Sequence, residues 1–419
     1  MNRREKVLGF ISILLVLILG KTLLNTDMLF FRLVIGVGLG YTLSRAYTGF
    51  AGSVNRAFNT GSTKLMRTLM VLFFITTLLT TAFLFKKDPT TYDLWINPIN
   101  LGLILGGILF GFGMSFSSCC ASGVLTDLVT GLPRAFVTLI FFSLGVFLGF
   151  PVQNTASWVM KSWFSTPVGE KLYGGVFLPD LFKFDGLDGY LGAIILTGIF
   201  CSIVIFLAYA YEKKRKDSNT YVGHPMEKIQ VENKSLDSKN YKLFSEDMYN
   251  RIFDKPWTLT QGAIVISILF TLLMGVTAAG WGASTPYGLW FGKFLMIFGI
   301  TPDSLAAFTK MPAKAYVTPF FQHGVSVQNF GIILGTIIYL LTAGKFAKTF
   351  MEEMHISLKE IMLFALGGIT MGLGTRLANG CNVGALYTPI ANFSLSGWVF
   401  LIFMVLGGII GNKLAKKLA

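Results

Sequence analysis

Cys120 and Cys381 stand at matching places in two glycine-framed stretches of this chain, and thiols so placed can hold a soft anion briefly. Gly111 is followed by Cys120 nine residues on and by Gly123 three beyond; Gly372, Cys381 and Gly384 repeat that spacing. Gly40, Gly49 and Gly52 keep it with glycine at the centre, and a looser copy runs from Gly275 through Thr285 to Gly288, its first glycine one residue out of register. The S–H group is a weak, polarizable donor and acceptor. Passage through a site needs that weakness, because a ligand held too tightly does not leave. Asn379 and Asn382 flank Cys381 and can donate amide N–H groups, and Arg376, five residues before it, is the best-placed cation. Arg45 lies in the equivalent stretch of the first copy, where snorkelling to the interface is an equal expectation. Cys119 would point away from Cys120 on any regular backbone, and Cys201, mid-helix, reads as an inert small apolar residue.

The glycines have two readings. Small residues let membrane helices approach closely. They also permit one helix to stop and another to start in a tight space. A helix that ends inside the membrane leaves carbonyls and amides unpaired, which survives only where they are buried in protein or line a polar cavity. Gly123 and Gly384 fall where the next half-helix would begin, offering free N–H groups and about half a positive charge to an anion. The recurrence of Cys, Asn and Ser at matching positions favours a functional constriction, since intramembrane polar groups are costly.

The elements that must carry these stretches are membrane helices. The chain has 419 residues, of which 53% are hydrophobic and 13% charged, with mean hydropathy +0.63. A soluble domain carries about 25% charged residues and has nowhere to place so many apolar runs. Ten spans of bilayer length are expected near 7–24, 28–46, 65–85, 98–117, 135–152, 188–211, 258–280, 327–345, 358–377 and 397–414. Short helices are expected near 288–300 and 303–311, and an amphipathic surface segment near 155–165. The first run lacks a small-x-small cleavage pattern and reads as an uncleaved helix. The net charge of +14 reflects Lys and Arg gathered in tails and loops rather than a nucleic-acid surface. Four cysteines mostly in membrane segments make no disulfide framework, and three scattered His with no zinc spacing make no metal site. No cofactor is expected.

The chain divides into an extra N-terminal helix (1–27), a first membrane half (28–211), a polar insert (212–256) and a second half (257–419). The insert opens on Lys213, Lys214, Arg215 and Lys216, which marks it as cytoplasmic, and its composition predicts a solvated, partly disordered linker. Counting spans from it places both termini in the cytoplasm. The first two glycine stretches then follow inward-running helices and the last two follow outward-running ones. The expected fold is an all-α polytopic membrane protein of about ten transmembrane helices in two inverted-repeat halves, with broken or re-entrant helices at a central constriction. Asp127 is expected to cap a helix near the second stretch.

At the core Gly380-Cys381-Asn382-Val383-Gly384, the following Ser396-Gly397-Trp398, the stretch Gly111 to Gly123 and the run Trp281 to Gly288, the chain resembles the YeeE/YedE family of sulfur-transport membrane proteins. The resemblance extends from about residue 30 to the C-terminus. It implies an hourglass of inverted halves in which cysteines at the constriction relay thiosulfate through S–H contacts, Cys120 and Cys381 matching two of three motif cysteines. Gly49 stands where the family carries the third, a change that suits another sulfur species or a selenium-containing analogue. The expectation is an inner-membrane transporter, not an enzyme, taking up a small sulfur anion, thiosulfate foremost. Its substrate-binding residues would be Cys119, Cys120, Cys381, Gly49, Thr285, Arg376, Asn379, Asn382, Gly123 and Gly384. The lipid bilayer and a cytoplasmic sulfur-acceptor protein are the expected partners. A membrane thiol redox protein is the alternative of a different class, though no CxxC or haem motif is present.

Overall fold

The computed structural model describes residues 3–50, 52–117, 119–231 and 245–418, and these are helical with no β-strand beyond isolated bridges. We label the main helices α1 (Arg3–Leu23), α2 (Asp27–Arg45), α3 (Gly52–Thr60), α4 (Lys64–Leu84), α5 (Leu101–Ser117), α6 (Gly123–Thr130) and α7 (Leu132–Thr155). There follow α8 (Tyr190–Asp217), α9 (Leu259–Thr277), α10 (Thr285–Ile297), α11 (Pro302–Thr309), α12 (Gly324–Ala343), α13 (Leu358–Leu377) and α14 (Leu395–Leu418). Among the described residues nine helices are long and apolar enough to cross a bilayer, namely α1, α2, α4, α7, α8, α9, α12, α13 and α14. The tenth expected span, α5, is apolar and 17 residues long, about 26 Å at 1.5 Å per residue.

Local chemistry sets several ends. Thr258 and Gln261 form a capping box at the start of α9, and Ser357 and Glu360 form another at α13, each satisfying two otherwise orphaned amides. Gly344 closes α12 in the left-handed conformation, φ +70°, which glycine adopts without steric cost. Leu14, Ile18, Phe206 and Ile402 on the long helices are each more than half exposed, as a lipid-facing surface requires.

The long helices pack in a reciprocal pattern. Helix α2 lies on α12, α4 on α9, α5 on α14 and α7 on α13, with α5 also against α13. The leading glycine of three sequence copies sits at such a crossing. A Cβ on Gly40 would lie 2.0 Å from the Ile332 carbonyl oxygen, one on Gly111 2.0 Å from that of Met404, and one on Gly372 2.5 Å from that of Phe142. These glycines therefore serve close packing, the dominant attraction between helices where lipid is as apolar as the side chains. Gly275, out of register in sequence, has nothing within 4 Å of its would-be Cβ.

Two expectations about loops are revised. The segment near 155–165 forms only one helical turn, Ser157–Met160, strapped down by Asn100 donating to the carbonyls of Val159 (2.6 Å) and Lys161 (3.1 Å). The polar insert is in large part docked: residues 212–217 complete α8, Pro225–Val231 is helical, and a turn over Asn250–Asp254 is pinned to the membrane body. Residues 232–244 of the insert lie outside the described residues. The pin is Arg45. Its guanidinium, 2% exposed, donates to the carbonyls of Arg251 (2.9 Å), Ile252 and Lys255 (3.1 Å) and packs over the Trp257 ring. Arg45 is thus not snorkelling; buried under the insert, it caps the insert's last turn.

Candidate functional site

In each repeated stretch one helix stops, four to seven residues intervene and another helical element starts: α2 to α3, α5 to α6, α9 to α10, and α13 to a π-turn over Asn382–Tyr387. Gly123 opens α6 as expected from its position. The element after Cys381 instead begins at Asn382, two residues ahead of Gly384. The residues at the starting ends are Ser122, Ser284 and Cys381, and none of them caps with its side chain. The amides of those first turns are left to other partners. The Cys381 thiol lies near the N–H groups of Val383 and Gly384 and the Ser284 hydroxyl without capping the turn.

Arg376 is the centre of this arrangement. It is 3% exposed, and among the described residues no carboxylate lies within ion-pairing distance of it. Its guanidinium donates only to neutral groups: Ser284 Oγ at 3.1 Å, Gln153 Oε1 at 3.2 Å and Thr285 Oγ1 at 3.4 Å, with the Phe150 ring 5.3 Å beneath it. Its Nε has no partner. Taking a cation out of water without a counter-charge is costly, so an anion that visits the site relieves a charge the protein leaves unpaired. Gln153 bridges Arg376 to Asn379, donating to its Oδ1 at 2.7 Å. Asn379 has φ +56°, so the turn before Cys381 passes through the left-handed region at a residue that tolerates it. Asn382 is fully buried, its Nδ2 3.9 Å from the Met114 sulfur and its Oδ1 without a partner.

The other sequence candidates gather on a second face. Gly49, Cys119, Cys120 and Gly123 all line one cavity of about 290 Å³. Cys119 was expected to turn away from Cys120. Both reach the cavity because residues 119–122 follow no regular helix or strand, so alternation does not apply. A Cβ on Gly49 would meet nothing within 4 Å, so this position opens the cavity wall. Gly384 has a different role from Gly123: a Cβ there would lie 2.5 Å from the Trp95 ring, which also presses on Gly282. Trp95 therefore lies across two of the glycine stretches.

Between the two faces stands Tyr287. It is wholly buried, donates its hydroxyl to the Ala121 carbonyl beside Cys120, and lies within electrostatic range of Cys119, Cys120 and Cys381. Cys120 in turn is 3.5 Å from Ser122 Oγ. All the cysteines are buried and free. Cys201 sits apart, against the Met70 carbonyl. Asp127 is inside α6 rather than at its cap, paired with Arg134 at 3.2 Å. Gln153, Ser284 and Tyr287 were not singled out from sequence. Gln153 lies in the polar end of α7 beside Asn154 and Thr155, so nothing in the sequence set it apart; Ser284 and Tyr287 are likewise brought in only by tertiary packing. Among the described residues no group of His, Cys, Asp and Glu could hold a metal.

The family model described as Sulphur transport matches residues 45–410. The chain is 25% identical over 317 residues to a thiosulfate transporter TsuA of Spirochaeta thermophila, an alignment covering 74% of this chain and 76% of that one. It is 22% identical over 386 residues to thiosulfate transporter TsuA of Escherichia coli, covering 91% and 93%. A 159-residue stretch, 38% of each chain, is 30% identical to the probable transporter YedE of Escherichia coli.

Proposed function

The chain belongs to the Sulphur transport family, and from that premise we propose that it takes up thiosulfate through a constriction between Arg376 and Cys120. It is a multi-pass membrane protein. In our reading the anion meets Arg376 and the Ser284 and Thr285 hydroxyls first. It then passes the thiols of Cys381 and Cys120, which interact weakly enough to release it, and leaves through the cavity beside Gly49. The observation that carries the reading is Arg376, a buried guanidinium whose hydrogen-bond partners are all neutral. Two inverted halves, 28–211 and 257–419, joined by the insert, are supported by the reciprocal packing of α2 on α12, α4 on α9, α5 on α14 and α7 on α13. The relatives are transporters by name, and we read this chain as a transporter and not a redox enzyme. The open wall at Gly49 favours a second substrate, a bulkier sulfur or selenium oxyanion, which would show itself by competing with thiosulfate.

The test is thiosulfate-dependent growth of a bacterial host lacking its own sulfate and thiosulfate uptake, with wild type beside Cys381→Ala. Rescue by wild type and its loss in Cys381→Ala, with equal protein in the membrane, is the expected result. Full rescue by the double variant Cys120→Ala, Cys381→Ala would remove the thiol relay.

A further inference from the structure

The cavity that Cys120 lines is also lined by two cations that the path described so far does not use. Arg56 lies four residues after Gly52 on α3, and Lys345 follows the glycine that closes α12; both line the cavity shared by Gly49, Cys119 and Cys120. The equivalent place on α6, four residues after Gly123, holds Asp127, which is also on the wall but is neutralised from behind by Arg134 at 3.2 Å. The charged side chains lining the wall are thus two cations and one carboxylate that is already paired.

Each of the two cations is met by a carboxylate from the polar insert. Glu227 comes from its first docked helix and lies 3.7 Å from Arg56; Asp254 comes from its last turn and lies 2.6 Å from Lys345. The Arg56 contact is open. Arg56 Nη1 and Glu227 Oε1 face each other, both buried and both without a hydrogen-bond partner. The remaining atoms are occupied: Arg56 Nη2 donates to the Tyr47 carbonyl at 2.7 Å, and Glu227 Oε2 accepts from Ser62 Oγ at 2.5 Å. A guanidinium nitrogen of a cavity-lining arginine that makes no hydrogen bond can take an oxygen of an oxyanion once the facing carboxylate moves aside. A tethered carboxylate at 3.7 Å, close enough for an ion pair and too far for a hydrogen bond, balances the charge without bonding that nitrogen.

Resting on the transport reading above, we propose that Arg56 and Lys345 form a second anion stage on the wall of this cavity, with Glu227 and Asp254 as its built-in competing counter-ions. The stage takes a small divalent oxyanion after the thiols have passed it. Arrival of the anion on Arg56 displaces Glu227, and return of Glu227 expels the anion. The polar insert thereby sets how firmly the protein holds its cargo before release.

The proposal makes a prediction of sign. Equilibrium binding of labelled thiosulfate to the full chain in detergent is measured for wild type, Glu227→Gln, Arg56→Gln and Arg56→Lys. Glu227→Gln removes the competitor and tightens binding about three- to tenfold; Arg56→Gln removes the receptor and weakens it by a similar factor, the scale of one part-exposed charge contact. Arg56→Lys keeps the charge and falls between wild type and Arg56→Gln. A merely structural ion pair moves Glu227→Gln and Arg56→Gln in the same direction, and that result, or no change in either, overturns the proposal. Size-exclusion profiles identify any variant that misfolds, and Asp254→Asn, expected to tighten binding as Glu227→Gln does, then replaces it. Uptake into proteoliposomes separates the two readings. Uptake with no opposite-signed shift sinks this stage alone; opposite-signed shifts without uptake sink the transport reading and leave the stage standing.

Discussion

A buried arginine without an acid is the least expected single residue in this protein, and its neighbours show why it is stable. Ser284, Thr285 and Gln153 accept from Arg376 and the Phe150 ring covers it, so the cation is solvated by neutral dipoles arranged in advance. Lysine offers a point charge that cannot span three acceptors at once. Arg376→Lys should therefore retain part of the thiosulfate uptake rate, while Arg376→Gln should lower it about tenfold or more, the scale of a lost charge-assisted hydrogen bond; initial rates in proteoliposomes decide. At Gly49 the opposite holds, because nothing lies within 4 Å of an added Cβ. Gly49→Ala should change stability by no more than about 0.5 kcal/mol, read as an unchanged melting point, while narrowing the range of anions that compete with thiosulfate. The sequence marked Arg376, Asn379 and Cys381 through spacing alone. It could not mark Ser284 or Tyr287, because their places depend on how α10 leans against α7.

At the scale of elements, hydropathy located the nine long helices and the shorter α5 to within several residues, since bilayer length and apolar content leave little freedom. The breaks were legible in the glycines, though one signal covered two jobs: Gly40, Gly111 and Gly372 are packing notches, whereas Gly123 opens a helix. What composition misjudged was the insert. Lys, Asp, Ser and Asn predict solvation, yet Glu212, Glu227 and Gln230 are buried, Gln230 donating to the Ala46 carbonyl at 2.8 Å. Those contacts are made with chain more than 140 residues earlier, beyond any local pattern. The docked segment also carries a pH response. Burial first, and Arg56 next, hold the His224 imidazole below its ordinary value of 6.5, with Glu227 opposing. Once undocked, His224 gains a proton as pH falls through 6.5, and in place it resists doing so. The stability it lends is present above that pH and declines below it. Melting curves of wild type against His224→Gln across pH 5 to 8 should diverge only on the acid side, wild type losing ground.

For the whole molecule the decisive quantity is orientation. Arg3, Arg4 and Lys6 at one end, Lys413, Lys416 and Lys417 at the other, and the basic start of the insert agree on one side under the positive-inside rule. Reporter fusions at residues 1, 218 and 419 should all report cytoplasmic, and a single periplasmic result would break the count of spans on which the inverted halves depend. The reciprocal packing carries a further consequence, for synthesis. Ser44 on α2 meets Thr336 on α12 at 2.9 Å, and the two are 292 residues apart. At about 5–20 residues per second, α2 emerges roughly 15–60 s before the helix that fills its notch exists. During translation the first half must wait in the bilayer, its notches occupied by lipid or by the insertion machinery. The body of this protein therefore closes only when the second half has been threaded through.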